Sequence, residues 1–258
     1  KANLRLTAAT NLYNNGTIAD EDIAARIQSI DELIESMTAS IRLRQQYDEA
    51  IQNLDVAVNA AKGKVGEAML ANATALQTTI KTDYEEGNVA DEDVEAEIAK
   101  IGNIVPALSV AQTSYERVSV LQQLTSDIER AQQEAEGILI DAEVIKDDHY
   151  LTTSYRSIAE SAIGVGYANL EQHVTSKTAW NNSVTSIIAS INSYDLTAGE
   201  TSLGIINDNL QTLVEQGTVI CDQIVSSART ASGNVWACIN ASAYIVEMKG
   251  QYGTFCSI

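Results

Sequence analysis

An eight-residue motif that occurs twice limits the folds open to this chain more than any other feature. Residues 16–23 read Gly-Thr-Ile-Ala-Asp-Glu-Asp-Ile, and residues 87–94, which begin 71 positions later, read Gly-Asn-Val-Ala-Asp-Glu-Asp-Val. A tyrosine precedes each copy at the same distance, Tyr13 and Tyr84. The chain therefore contains an internal repeat, which predicts an architecture of stacked, similar units.

Each copy of the motif has the composition of a helix start. We expect Gly16 and Gly87 to end the preceding helix in the left-handed conformation, and Thr17 and Asn88 to cap the next helix. The carboxylates then fall in the first turn, at the positive end of the helix dipole. A calcium loop is the other known use of such acids, but neither copy has the glycine or the spacing of an EF-hand. Apolar residues follow at helical spacing in both copies: Ile23, Ile27, Ile30, Ile34 and Val94, Ile98, Ile101, Val105.

A third and more divergent copy begins at residues 197–200, Thr-Ala-Gly-Glu, where Thr197 is the expected cap. Leucines then match the apolar positions of the first copy, except that Asn207 replaces Ile27. The third copy lies 109 residues after the second, so additional structure is expected between them.

Composition and charge restrict the fold class and the partners. One proline in 258 residues indicates a helical chain. A formal net charge of −19, without a basic patch, argues against nucleic acid or an anionic membrane surface as a partner. Residues 1–150 hold 12 basic and 27 acidic residues, whereas residues 151–258 hold 4 and 8, so the second part is a different region. No apolar run reaches the roughly 18 residues of a membrane span.

The apolar spacing predicts alternating short and long helices. We expect a short helix to about Met37, then a long helix over residues 41–84 that Gly63 and Gly66 bend or break. A second short helix should end before Pro106, and a second long one should follow. Near-heptad spacing in the long helices indicates side-by-side packing at a shallow angle.

These elements give an all-α fold, an elongated array of three-helix bundles that share their long helices. The predicted boundaries are 1–75 for the first three-helix repeat, 76–147 for the second, and 148–258 for a divergent C-terminal helical domain. In that last domain a helix should run from Thr152 to about Tyr194 with these residues inward: Ile158, Ala162, Val165, Val174, Val184, Ile187 and Ile191. A final helix follows, which residues 232–234 can split into a hairpin.

The order of helix, glycine, acidic motif, short helix and long helix resembles the FIVAR-type and related tandem three-helix repeats of bacterial surface proteins. The similarity covers residues 7–146 and, more loosely, 190–249. Such repeats act as spacers or binding modules in exported proteins, so the resemblance implies an extracellular, cell-surface location and a spacer or binding role. They have no shared catalytic residues, so it implies no catalytic site. The chain opens at Lys1 without methionine or signal sequence, which suggests a processed protein or a fragment. Four Asn-x-Ser/Thr triplets decide nothing about glycosylation.

Few side chains suggest chemistry. His149, in a turn after two aspartates, is a weak candidate metal contact and more often a solvated loop residue, and His173 reads as surface polar. No hydrolase, nucleotide-binding or di-iron motif is present. Neither a catalytic residue nor a cofactor is therefore predicted. The large aromatic residues of the C-terminal region are a candidate platform for a sugar or peptide, with core packing as the alternative: Trp180, Tyr194, Trp236 and Tyr244.

Three cysteines, Cys221, Cys238 and Cys256, fall in the last 38 residues. On one straight helix Cys221 and Cys238 would be roughly 25 Å apart and unable to pair. A turn near residue 232 would let them face each other, Cys256 can fold back on Cys238, and free buried thiols are the further alternative.

The sequence thus favours a non-catalytic structural or spacer segment of an exported bacterial cell-surface protein that presents an adhesive or binding tip. The alternative is a module for a carbohydrate or a host protein, with its site in residues 151–258. The expected partner is a protein or glycan on a surface, and self-assembly is a further option.

Overall fold

The fold consists of helices that leave one apolar face each for their neighbours. A computed structural model describes residues 2–16 and 20–255, with the side chains of residues 7, 8, 10–16 and 22–251. These ranges contain no strand, which confirms the all-α class. The helices are α1 (Ala2–Asn14), α2 (Asp20–Ala61), α3 (Glu67–Glu85), α4 (Val94–Asp148), α5 (Thr153–Asn192) and α6 (Glu200–Phe255), with a 3₁₀ turn at Leu196–Ala198.

Helix breaks fall at fewer places than the sequence predicts. Helix α2 runs without interruption through residues 37–41, and α4 runs through Pro106, so both predicted boundaries are wrong. Proline inside a helix removes one hydrogen bond and costs about 3 kcal/mol, but full burial of Ile104, Ala107 and Leu108 beside it favours continuation. The break predicted near Gly63 is confirmed, since Gly63 adopts φ 72° between α2 and α3.

The glycines of the repeated motif end helices as predicted. Gly16 has φ 64° and Gly87 has φ 70°, both in the left-handed region. After α3 the Gly87 N–H donates to the Tyr84 carbonyl (3.2 Å) and the Asn88 N–H donates to the Asp83 carbonyl (2.9 Å). These two bonds form the Schellman motif that satisfies the last carbonyls of a helix.

The predicted caps are not the caps of the structure. Asn88 lies six residues before the start of α4 at Val94, and its amide donates to Glu86 Oε2 (3.0 Å) instead. Thr17 lies outside the described residues. In the third copy, Asp195 Oδ1 accepts from the N–H of Thr197 (2.9 Å) and caps the 3₁₀ turn, and α6 begins only at Glu200. These hydrogen bonds from Thr197 lower the pKa of Asp195.

The chain divides into two compact units. Unit 1 contains residues 1–63, 70–109 and 195–200, and unit 2 contains residues 64–69, 110–194 and 201–258. The three domains predicted from the sequence have other boundaries and stay a prediction.

In unit 1 the second copy of the motif is attached to α2. Arg44 Nη2 donates to Asp91 Oδ1 (2.7 Å) and to the Val89 carbonyl (2.8 Å), and Ser40 Oγ donates to Asp91 Oδ2 (3.2 Å). The Arg44 guanidinium, and then Ser40, hold the pKa of Asp91 below its usual value. The acidic motif thus joins the loop before α4 to the preceding long helix.

Helices α2 and α3 of unit 1 pack antiparallel. The rings of Tyr47 and Tyr84 meet edge to face with centroids 5.2 Å apart, and Asp55 accepts hydrogen bonds from Lys81 (2.9 Å) and Gln77 (2.7 Å). Tyr47 is fully buried, and no hydrogen-bond partner for its hydroxyl lies among the described residues. Burial, followed by the charges of Glu97 and Asp83, raises the pKa of Tyr47 to about 12.

Unit 2 is an up-down-up arrangement of three long helices. Asn192 accepts from the Tyr115 hydroxyl (2.5 Å) at one end of α5, and Arg156 donates to Asp147 (3.3 Å) at the other end, so α4 and α5 are antiparallel. Helices α4 and α6 are parallel, because the residue numbers of their polar pairs increase together along both helices: Ser114–Asn207, Arg117–Gln211 and Glu134–Arg229. The two α5 pairs show the relative register of α4 and α5 at both ends of a helix of 40 residues, about 60 Å long.

Glycines mark the closest approaches within unit 2. A Cβ at Gly166 of α5 would lie 2.5 Å from Leu139 Cδ2 of α4 and 2.9 Å from Ala231 Cβ of α6. The buried face of α5 contains Ala159, Ile163 and Gly166, whereas Ile158 and Val165, predicted to face inward, are exposed. Val184 and Ile191, also predicted to face inward, are buried. The inward face is rotated only in the first half of α5, because Gly166, which carries no apolar signal, occupies its tightest point.

Replacing Gly166 by alanine should destabilise the protein. Overpacking of a tight site costs about 1–3 kcal/mol, and the methyl group of Ala231 cannot rotate away from the new Cβ. Gly164→Ala is the matched control on the same helix, because no atom lies within 4 Å of its added Cβ. There alanine should raise the free energy of unfolding by about 0.5–1 kcal/mol through helix propensity. Urea denaturation of both variants measures the difference, and shifts in the same direction would contradict the packing.

Replacing Tyr47 by phenylalanine should remove an alkaline loss of stability. The unfolded tyrosine ionises from a pKa of 10.0 and the folded one only near 12, so the free energy of unfolding falls as pH rises through that interval. The variant should lose this component, which is on the order of 2 kcal/mol, and should be at least as stable as the parent at pH 7 because a buried unpaired hydroxyl disappears. Denaturation at pH 7 and at several values between 10 and 12 tests this. If the free energy of unfolding changed with pH in the same way in both proteins, burial would not raise the pKa of Tyr47, and the prediction would be wrong.

Candidate binding surfaces

Trp180, the first residue of the predicted aromatic platform, belongs to the core of unit 2. Its side chain is 4% exposed, and its indole N–H donates to the Leu213 carbonyl at 2.7 Å. The ring also fills the space beside Gly217, where a Cβ would lie 2.5 Å from Trp180 Cζ2. The face of this indole is therefore covered by α6.

The other three aromatic residues lie apart from Trp180. Trp236 is 42% exposed and follows Leu213, the partner of Trp180, by 23 residues on α6, a rise of about 34 Å. Tyr244 is exposed a further eight residues along the same helix, and Tyr194 is half-buried after the end of α5. The structure does not bring the four rings together into one platform.

Trp236 instead has His149 as its neighbour. The two ring centroids are 5.4 Å apart at an interplanar angle of 69°. His149 donates its Nδ1 proton to the Ile145 carbonyl (2.9 Å), which satisfies an acceptor in the last turn of α4. In this position His149 closes a helix. Of the two aspartates before it, Asp147 pairs with Lys146 and Arg156, and Asp148 is exposed. His173 is half-buried on α5. Across the described residues, no group of three or more His, Cys, Asp or Glu side chains is placed to hold a metal ion.

The cysteines are separated by the continuity of α6. The predicted hairpin at residues 232–234 does not form, so Cys221 and Cys238 stand about 25 Å apart along one helix, and both thiols are free. Burial, followed by the charges of Asp222 and Asp127, raises the pKa of Cys221, which lowers the fraction present as the reactive thiolate. Cys256 lies outside the described residues.

Helices α5 and α6 form a groove with a volume of about 620 Å³. Small hydroxyl, amide and apolar side chains line it, among them Ser161, Asn169, Ser227 and Asn234. These groups can donate and accept hydrogen bonds, as a polar ligand would require. None of the described residues that line the groove is a carboxylate, histidine or thiol.

The largest departure from expectation is an apolar surface on the first half of α2. Its residues, here called the α2 stripe, are all exposed: Ile23, Ile27, Ile30, Ile34, Met37 and Ile41. The first four have the spacing that predicts a buried face, and their counterparts Val94 and Ile101 after the second motif are buried. Sequence reasoning could not find this surface, because the pattern of a covered face and that of an uncovered one are the same.

Along the described helices, no segment has the length and apolar character needed to cross a membrane.

Comparison of the chain with protein-family models, curated proteins and solved structures gave no match.

Proposed function

We propose that this chain is a non-catalytic helical spacer segment of an exported bacterial cell-surface protein, which presents an adhesive or binding region. The observation that supports it is the repeated joint: Gly16 and Gly87, 71 residues apart, end their helices in the same left-handed conformation before the same acidic motif. A spacer is made by repeating one joint between similar helical segments.

The packing of unit 2 fits this role. Helices α4 and α5 share one register along their whole contact, with pairs at both ends of α5 and near its middle, where Lys177 Nζ lies 3.5 Å from Glu129 Oε1. Such exposed ion pairs contribute little stability individually, so the buried residues between the helices keep them aligned. Aligned long helices can hold two other parts of a protein, one attached at each end, at a distance from each other.

The surface location rests on composition and on the FIVAR-type resemblance. An acidic surface with a net charge of −19 keeps a protein soluble and discourages self-association. The acidic motif and the helix-ending glycines support the resemblance. Its short and long helices are merged here into the continuous helices α2 and α4.

The second candidate is a ligand-binding module within residues 151–258. The α5–α6 groove favours it, since a chain of hydroxyl and amide groups suits a carbohydrate or a polar peptide. Ser227→Trp would fill this groove, so a ligand that binds there should lose affinity in this variant.

A spacer should lengthen when one repeat is added. Residues 20–90 can be inserted again after residue 90, because residues 20 and 91 hold the same place in the motif. If the chain is a spacer, small-angle scattering should give a radius of gyration well above the roughly 18 Å of a compact protein of its size, and a clear increase for the longer variant. Compact folds would differ by only about 2 Å. Values near 18 and 20 Å would refute the spacer role.

Surface exposure can be tested on cells that produce the protein. Antibodies against the purified chain should label intact cells, and added protease should remove that label. A cytosolic protein of the same cells is the control, since its antibody should label only after lysis. Labelling of this chain only in lysed cells would contradict the surface location while leaving the spacer role to the scattering experiment.

A further inference from the structure

The α2 stripe continues, on the same helix and in the same register, into a face that is already buried. Successive apolar positions step by three or four residues from Ile23 to Ile41 and then, past Arg44, to Tyr47, Ile51, Leu54 and Val58. Helical residues at this spacing share one face. The second half of the face is buried, with Tyr47 against Tyr84 of α3, whereas the first half is exposed, with Ile34 at 56% exposure.

The second copy of the motif shows what kind of helix covers such a joint. There the α2 segment of residues 40–58 contacts the loop through Arg44 and Ser40, which hold Asp91, and contacts α3 through the Tyr47 ring against Tyr84. In the first copy the residue that matches Tyr84 is Tyr13, and its side chain is 78% exposed. The first joint therefore has the motif and the apolar face, but no helix like residues 40–58 lies on it among the described residues.

We propose that the α2 stripe and Tyr13 bind one amphipathic α-helix with the pattern of residues 44–58: a basic residue followed by large apolar residues 3, 7, 10 and 14 positions later. The apolar residues cover the stripe and replace water on its isoleucines. The basic residue takes the place of Arg44, since Asp20 has the motif position of Asp91. This inference rests on the internal repeat alone, so it can fail while the spacer role holds.

The segment that covers the second joint is the natural probe. A fluorescently labelled peptide of residues 40–61 is added to the full chain, and binding is measured by anisotropy. We expect saturable binding, with changes in the methyl signals of the stripe isoleucines in NMR spectra. The chain variant Ile30→Glu/Ile34→Glu should bind at least about tenfold more weakly, because two charges enter the covered face.

Two matched controls separate docking from unfolding and from nonspecific apolar contact. Val56→Glu changes another exposed residue of α2 that lies off the stripe, and it should leave peptide binding unchanged. A peptide with Ile51→Asp and Leu54→Asp should not bind. Because both glutamates of the stripe variant replace exposed side chains, its circular dichroism and melting temperature should match those of the parent.

Three results would overturn the inference. One is the absence of peptide binding, and another is binding that the stripe variant does not weaken, as expected if the peptide displaced residues 40–61 of the chain itself. The third is concentration-dependent dimerisation in analytical ultracentrifugation that the stripe variant abolishes, without peptide binding. That result would assign the surface to a second copy of the chain.

Discussion

The structure depends on the covering of one apolar face per helix by its neighbours. In α2 this face extends from Ile23 to Val58, and half of it is buried in unit 1 while the other half is exposed. A helix is stabilised in water mainly by such packing and only weakly by its own hydrogen bonds. A neighbour on the exposed half of this face would therefore stabilise α2 further, and a chain built from such helices can be extended wherever a face is uncovered.

Within unit 2 the helices approach each other most closely where side chains are smallest. Gly166 meets Leu139 and Ala231, and Gly217 meets the Trp180 ring. A large side chain opposite a glycine specifies one register of the two helices, because shifting either helix by one turn would place Trp180 against a Cβ. Register in this unit is consequently specified by complementary shapes inside, and the exposed pairs such as Lys177–Glu129 only follow it.

The sequence predicts helix type and glycine-terminated ends well, because these are local properties. Gly16, Gly87 and Gly63 end helices as expected. Prediction fails where tertiary contacts outweigh a local signal: burial beside Pro106 carries α4 through a proline, and Gly166 rotates the inward face of α5. It fails again for the candidate platform, since the separation of Trp180 from Trp236 depends on α6 continuing past Gly233 without a turn. Which face lacks a partner cannot be read from periodicity at all.

The third copy of the motif shows how a repeat position changes when its surroundings change. Asn207 stands where the first copy has Ile27, between the fully buried Leu203 and Leu210. Its side-chain oxygen accepts from Ser114 (3.2 Å), itself fully buried, and its carbonyl accepts from Arg117 (3.2 Å), both on α4. Asn207 is half-buried, so its amide gains from being paired, and both contacts require the parallel register of α4 and α6. Loss of the apolar residue thus removes a general docking position and replaces it with a contact specific to this pair of helices.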